Sequence, residues 1–173
     1  MRRSTYRSSL LVAVLLVSTA VAPASAEENT LPARKPGLWE LKTVMDEGNG
    51  PRDQTLKMCI DERMEQNTVA ASLADHKANC AKYDIKVADG VTTAEGECTY
   101  NGRLVISHTE IKGDFKSAFE IKIKSSTSDP EAKEQSIVIK RDITQSGSYL
   151  GESCGDLKAG EAMGPDGKKL AVQ

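Results

Sequence analysis

Few side chains in this 173-residue chain are suited to chemistry: Cys59, Cys80, Cys98 and Cys154, with His76 and His108, set among ordinary acids and lysines. The cysteines are even in number and contain no C-x-x-C pair, the spacing that zinc sites and dithiol redox centres use. In an exported chain such a set reads as two structural disulfides. His76 falls near a helix end, where an imidazolium interacts favourably with the helix dipole. His108 shares a strand face with Leu104 and Ile106, a hydrogen-bonded core or rim position. Two isolated histidines make neither a metal site nor an acid–base pair unaided. Glu95 and Glu97 share a strand face but have no third oxygen ligand at a useful spacing. Lys116, Lys122 and Lys124 form a basic strand face that reads as solvation and edge protection. There is no G-x-S-x-G nucleophile elbow, and Gly147, Gly151, Gly155 and Gly160 are not followed by the Lys-Ser/Thr of a phosphate loop. These residues give no catalytic site, no metal and no cofactor, so the expectation is a protein that is not an enzyme.

The N-terminus sets the compartment. Met1-Arg2-Arg3 and Arg7 precede an apolar run over 10–17, and Ala24-Ser25-Ala26 presents the small side chains a signal peptidase accepts. The apolar run is well short of the ~20 residues needed to span a bilayer. Residues 1–26 are therefore expected to be a signal peptide cut between Ala26 and Glu27, leaving no membrane span. The 147 residues that remain carry 20 basic and 25 acidic side chains, a net charge of −5. That balance argues against a general affinity for nucleic acid or anionic lipid. Aromatic residues are 4% of the chain, too few for a large aromatic cage.

The elements that must position these residues are mostly strands. Residues 27–35 read as a flexible leader. Trp39, Leu41, Thr43 and Met45 then alternate with Glu40 and Lys42, the period of a half-buried strand. Gly48-Asn49-Gly50-Pro51 is a turn, and a second strand over 54–60 puts Leu56, Met58 and Ile60 on one face. Asp61 is placed to cap one short helix over 62–76. A meander follows. Tyr83, Ile85 and Val87 alternate up to a hairpin at Asp89-Gly90, and a strand over 91–100 ends at a second hairpin signal, Asn101-Gly102. Leu104 and Ile106 lie on the next strand. After a turn at 112–114, Phe115, Ser117, Phe119, Ile121 and Ile123 form the clearest amphipathic strand. A polar loop over 125–134 leads to a last strand carrying Ile137, Ile139 and Ile143. The tail over 156–173 lacks periodicity and is expected to be flexible. The fold class is thus mainly β: an antiparallel meander of about seven strands in one domain, 36–155, forming a curved sheet or partial barrel with one short helix.

Four cysteines allow three connectivities. Cys80–Cys98 with Cys59–Cys154 is preferred. A three-residue loop over 88–90 would bring Cys80 opposite Cys98, whereas a two-residue Asp89-Gly90 loop faces Cys98 to Ala81 and needs a local irregularity. The rival, Cys59–Cys80 with Cys98–Cys154, would staple the helix ends.

The Pro36-Gly37-Leu38-Trp39-Glu40 opening, Cys59 before a helix, the Cys80 to Cys98 hairpin and the closing Gly151-Glu152-Ser153-Cys154 together resemble one family. It is a proteobacterial family of small secreted proteins known as a domain of unknown function, and the likeness runs from Pro36 to about Cys154. The resemblance implies a periplasmic destination and brings no activity, cofactor or catalytic residue.

Two functions fit. One is a binding module for a small apolar ligand; the other is an envelope protein that docks on another protein. The binding module is preferred, with Trp39, Leu104, Ile106, Phe119 and Ile121 as the candidate ligand face. Ile85, Val87 and Leu41 are expected to share that face. One helix is small cover for such a sheet, so curling should leave a mouth where Trp39 meets the ligand.

Overall fold

The structure, a computed structural model, describes residues 31–132 and 137–171; the proposed cleavage point at Ala26 and Glu27 lies outside them. Among the described residues, β1 (Gly37–Asp46) and β2 (Arg52–Ile60) precede α1 (Glu62–Asn79). The meander follows: β3 (Cys80–Ala88), β4 (Val91–Tyr100), β5 (Arg103–Gly113), β6 (Ala118–Ser128) and β7 (Ile139–Gly151). Two short strands, β8 (Glu161–Met163) and β9 (Lys169–Ala171), complete the order. All pair antiparallel in one open sheet, β3-β4-β5-β6-β7-β1-β2-β8-β9. The mainly β, single-helix reading therefore stands, as a sheet that does not close.

Local chemistry explains the turns. Asp89 and Asn101 have φ of 52° and 50°, followed by Gly90 and Gly102 at 74° and 75°, the doubly positive pattern of a two-residue hairpin loop. Asp61 caps α1 by accepting a hydrogen bond from the Met64 amide at 2.7 Å. The strand expected to start at Phe115 instead starts at Ala118. Asp114 accepts hydrogen bonds from the amides of Lys116, Ser117 and Ala118, and Phe115 adopts φ 55°. That turn still buries Phe115, whose ring stacks on Phe119 at 4.9 Å. β6 also runs on to Ser128, into the stretch read as loop.

Register decides which side chains meet. β1 pairs with β2 and β7 so that Trp39, Leu41, Met58, Phe119 and Ile60 share the concave face with Ile111 and Ala162. Trp39 is fully buried, its rings 5.4 Å from both Phe119 and Tyr149. Two glycines are steric requirements of this packing. A Cβ on Gly147 would strike the Phe119 ring, and one on Gly37, whose φ is 135°, would strike the Gly151 carbonyl oxygen and the Tyr149 ring. The Pro36-Gly37-Leu38-Trp39 opening therefore exists to bring β1 close against the end of β7 and bury the indole.

The described parts of both segments expected to be loose, 31–35 and 156–171, are held. Leu31 packs on the core, the Lys35 amide donates to the Phe115 carbonyl at 2.7 Å, and Arg34 bonds α1. Beyond Asp156, Leu157 and Ala162 are buried, and β8 extends the sheet beside β2. Neither segment shows the usual periodicity because each contributes only one or two apolar contacts.

Candidate functional site

The helix that closes the concave face is a poor match for it. Met64, Glu65, Val69, Ser72, Leu73, His76 and Asn79 are its buried or half-buried positions; Met64 packs on the core, while the stretch from Glu65 to Ser72 faces Ile111, Phe115, Phe119 and Ile121. Short or polar helix side chains facing large apolar sheet side chains leave a gap, since interiors otherwise pack to crystal-like density. The gap is a cleft of about 190 Å³ lined by Ile111, Phe115, Phe119, Ile121 and Val69, with Leu31 and Pro32 of the N-terminal segment. Thr68, Ser72 and Gln145 add polar groups to its wall. A larger hollow of about 560 Å³ beside the first turns of α1 is bounded by Asp61, Arg63 and Asn67 together with Met64, Ala71 and Ala159. The smaller cleft has apolar side chains on both its helix wall and its sheet wall.

The charged residues at the cleft neutralise one another. Glu65, 4% exposed, accepts from the Arg34 amide at 2.8 Å, from Nε at 3.0 and 3.1 Å, and from Nη2 at 2.7 Å. This bidentate pair ties residues 31–35 across α1, so the N-terminal segment forms one wall.

Of the residues expected to form a ligand face, Phe119 and Ile121 line the cleft. Trp39 does not: it lies in the core behind Phe119, its Nε1 donating to the Lys35 carbonyl at 2.8 Å. Leu104 and Ile106 are also corrected. Cys98 pairs with Val105 and Ile121 with Ile111, which puts Val105 and Ile111 on the concave face and turns Leu104 and Ile106 outward; Ile106 is 48% exposed. Ile85 and Val87 share the concave side of edge strand β3, but Val87 is half exposed. Sequence reasoning missed Ile111, Val69, Arg34 and Glu65. The signal for the helix pair was there, because 65, 69, 72 and 76 repeat at helical spacing below the Asp61 cap.

The outer face carries His108 in a charged row. His108 Nδ1 lies 2.6 Å from Glu95 Oε1, and Nε2 lies 3.5 Å from Glu110 Oε1. The Glu95 hydrogen bond, reinforced by Glu110, holds its pKa above the ordinary 6.5. A raised folded-state value means that this contribution to stability is full below 6.5 and fades as pH rises through the folded value. An NMR titration should place the His108 midpoint above 6.5, and Glu95→Gln should bring it back toward 6.5. A midpoint at or below 6.5 in the unaltered protein would contradict the pairing.

Both disulfides follow the preferred pairing: Cys59–Cys154 joins the end of β2 to the segment after β7, and Cys80–Cys98 joins β3 to β4. The Asp89-Gly90 loop has two residues, so the second bridge depends on the irregularity anticipated for that case. A bulge between Cys80 and Lys82 lets Cys80 face Cys98. The family model described as "Protein of unknown function (DUF3617)" matches residues 34–154, from the arginine that grips α1 to the cysteine that closes the larger covalent loop. The chain belongs to the DUF3617 family. The match includes Arg34, Glu65, both disulfides and the apolar lining from Val69 to Ile121, and excludes β8 and β9. No curated protein and no solved structure matches the chain. Among the described residues, no helix is long and apolar enough to cross a membrane.

Proposed function

We propose that the protein is an exported, periplasmic, non-enzymatic binding module that holds a small apolar ligand, or the apolar end of a longer one, between α1 and the concave sheet. The apolar cleft of Ile111, Phe115, Phe119, Ile121 and Val69 carries the reading. Its 190 Å³ is below the ~300–1,000 Å³ of pockets for drug-sized ligands. It exceeds the roughly 150 Å³ cavity known to take up benzene. A short hydrocarbon segment fits that size. Two disulfides accord with an oxidising compartment and with the signal-like N-terminus.

Docking on an envelope protein has less support. Val87, Ile106, Leu150 and Leu170 are exposed on four different strands, Ile137 and Val138 just before β7 are the one adjacent exposed pair among the described residues, and edge strand β3 carries Lys82, Asp84 and Lys86. Charged edges of that kind resist strand addition.

Dodecan-1-ol is a suitable neutral probe. Its titration should change Trp39 fluorescence saturably, relayed through Phe119, and Ser72→Phe, which fills the cleft from the helix side, should abolish the response while leaving the circular dichroism spectrum intact. A response that never saturates, or one unchanged in the folded Ser72→Phe variant, would sink the reading.

A further inference from the structure

The concave face continues beyond the cleft. From Phe119 and Ile121 along β6, the next inward positions are Ile123 and Ser125, facing Ile143 and Arg141 of β7. Met45 of β1 lies opposite Ile143, and Arg52 of β2 lies opposite Met45. The helix leaves this quarter of the sheet open, and Ile123, Ile143 and Met45 are half-buried. Past this apolar row stands a charged group. Glu47 Oε1 accepts from Arg141 Nε at 2.6 Å and Glu47 Oε2 from Arg52 Nη2 at 2.6 Å. Arg141 Nη1 also donates to Thr127 Oγ1 at 3.2 Å. Two guanidinium groups share one carboxylate, which leaves one net positive charge. Each guanidinium has five N–H donors, so most of them remain available to an anion. The charge lies at the opposite end of the open face from the neutralised Arg34–Glu65 pair.

Resting on the binding-module reading, we propose that the ligand is an anionic single-chain amphiphile. Its tail end occupies the cleft under α1, its chain lies along Ile123, Ile143 and Met45, and its head group is held by Arg52 and Arg141. Four to six residues of strand separate the cleft from the arginines, roughly 14–20 Å, about the reach of a dozen-carbon chain. A carboxylate, sulfate or phosphate head group can accept two parallel hydrogen bonds from a guanidinium, which an alcohol cannot. The cleft itself offers no unpaired charge, so the head group has no competing site at the other end.

The test compares dodecanoate with dodecan-1-ol on the intact mature protein by isothermal titration. Dodecanoate should bind at least about fivefold more tightly, a preference that weakens in high salt because the arginine end is partly exposed. Arg52→Glu reverses the net charge of the cluster at an exposed position and should remove the preference while leaving dodecan-1-ol affinity unchanged. Arg141→Gln should reduce it in the same sense. Equal binding of the two probes by the unaltered protein, or a preference that survives Arg52→Glu, overturns the head-group assignment and leaves the apolar cleft standing. Saturable binding of neither probe defeats both readings together.

Discussion

Arg34→Ala should destabilise the protein by about 3–5 kcal/mol, the range for breaking a buried ion pair by removing one partner. The large figure comes from what is left behind. Glu65 is buried, and the hydrogen bonds it receives from the arginine side chain and backbone hold residues 31–35 over α1. Without the guanidinium, a desolvated carboxylate faces the apolar cleft. The paired replacement Arg34→Met with Glu65→Leu should recover part of that loss, because an apolar pair of similar volume often replaces a buried ion pair at little cost, but the residue-34 amide loses its acceptor, which costs about 1–3 kcal/mol. Urea unfolding of the three proteins checks this. An Arg34→Ala variant as stable as its parent would mean that the pair does not hold the N-terminal segment.

Removing Cys59–Cys154 is the other change with a large expected effect. It closes a separation of 95 residues against 18 for Cys80–Cys98. On the chain-entropy account the longer loop contributes roughly 4–5 kcal/mol and the shorter about 3 kcal/mol. The Cys59→Ser, Cys154→Ser protein should therefore melt lower than the Cys80→Ser, Cys98→Ser protein, and both should melt below the parent by roughly 10 °C or more. The larger bridge also fixes the chain leading to Leu157 and Ala162, so its loss should raise hydrogen exchange in β8 and β9 first. If the shorter bridge proves the more important, loop entropy does not govern this fold.

Most of the architecture was legible because period-two alternation and two-residue turn signals are local properties. Asp89-Gly90 and Asn101-Gly102 dictate their turns through positive φ, and the alternation from Trp39 to Met45 marks one buried face. What misled the site assignment was phase. β5 carries apolar residues on both faces, Leu104 and Ile106 on one and Val105 and Ile111 on the other, so alternation alone does not say which set is inward. The hairpin does: counting back from Asn101-Gly102 pairs Leu104 with Thr99 and Val105 with Cys98. The disulfide to Cys80 then places Cys98 and Val105 on the covered side. Arg34 and Glu65 were harder to find, since their pairing spans 31 residues and depends on how α1 lies over the sheet. Phe115 misled in a different way. Its spacing suits a strand, but the amides gathered by Asp114 bend the chain, and the ring reaches the core from a turn.

Methyl NMR during titration with dodecan-1-ol tests the central claim most directly. Ile111, Ile121 and Val69 surround the cleft, whereas Leu104 and Ile106 lie on the opposite face of the same sheet. Binding as proposed should shift the first three methyl groups saturably and together while Leu104 and Ile106 hold still. Shifts concentrated at Leu104 and Ile106, or no saturable shift at Ile111 and Ile121, would contradict it.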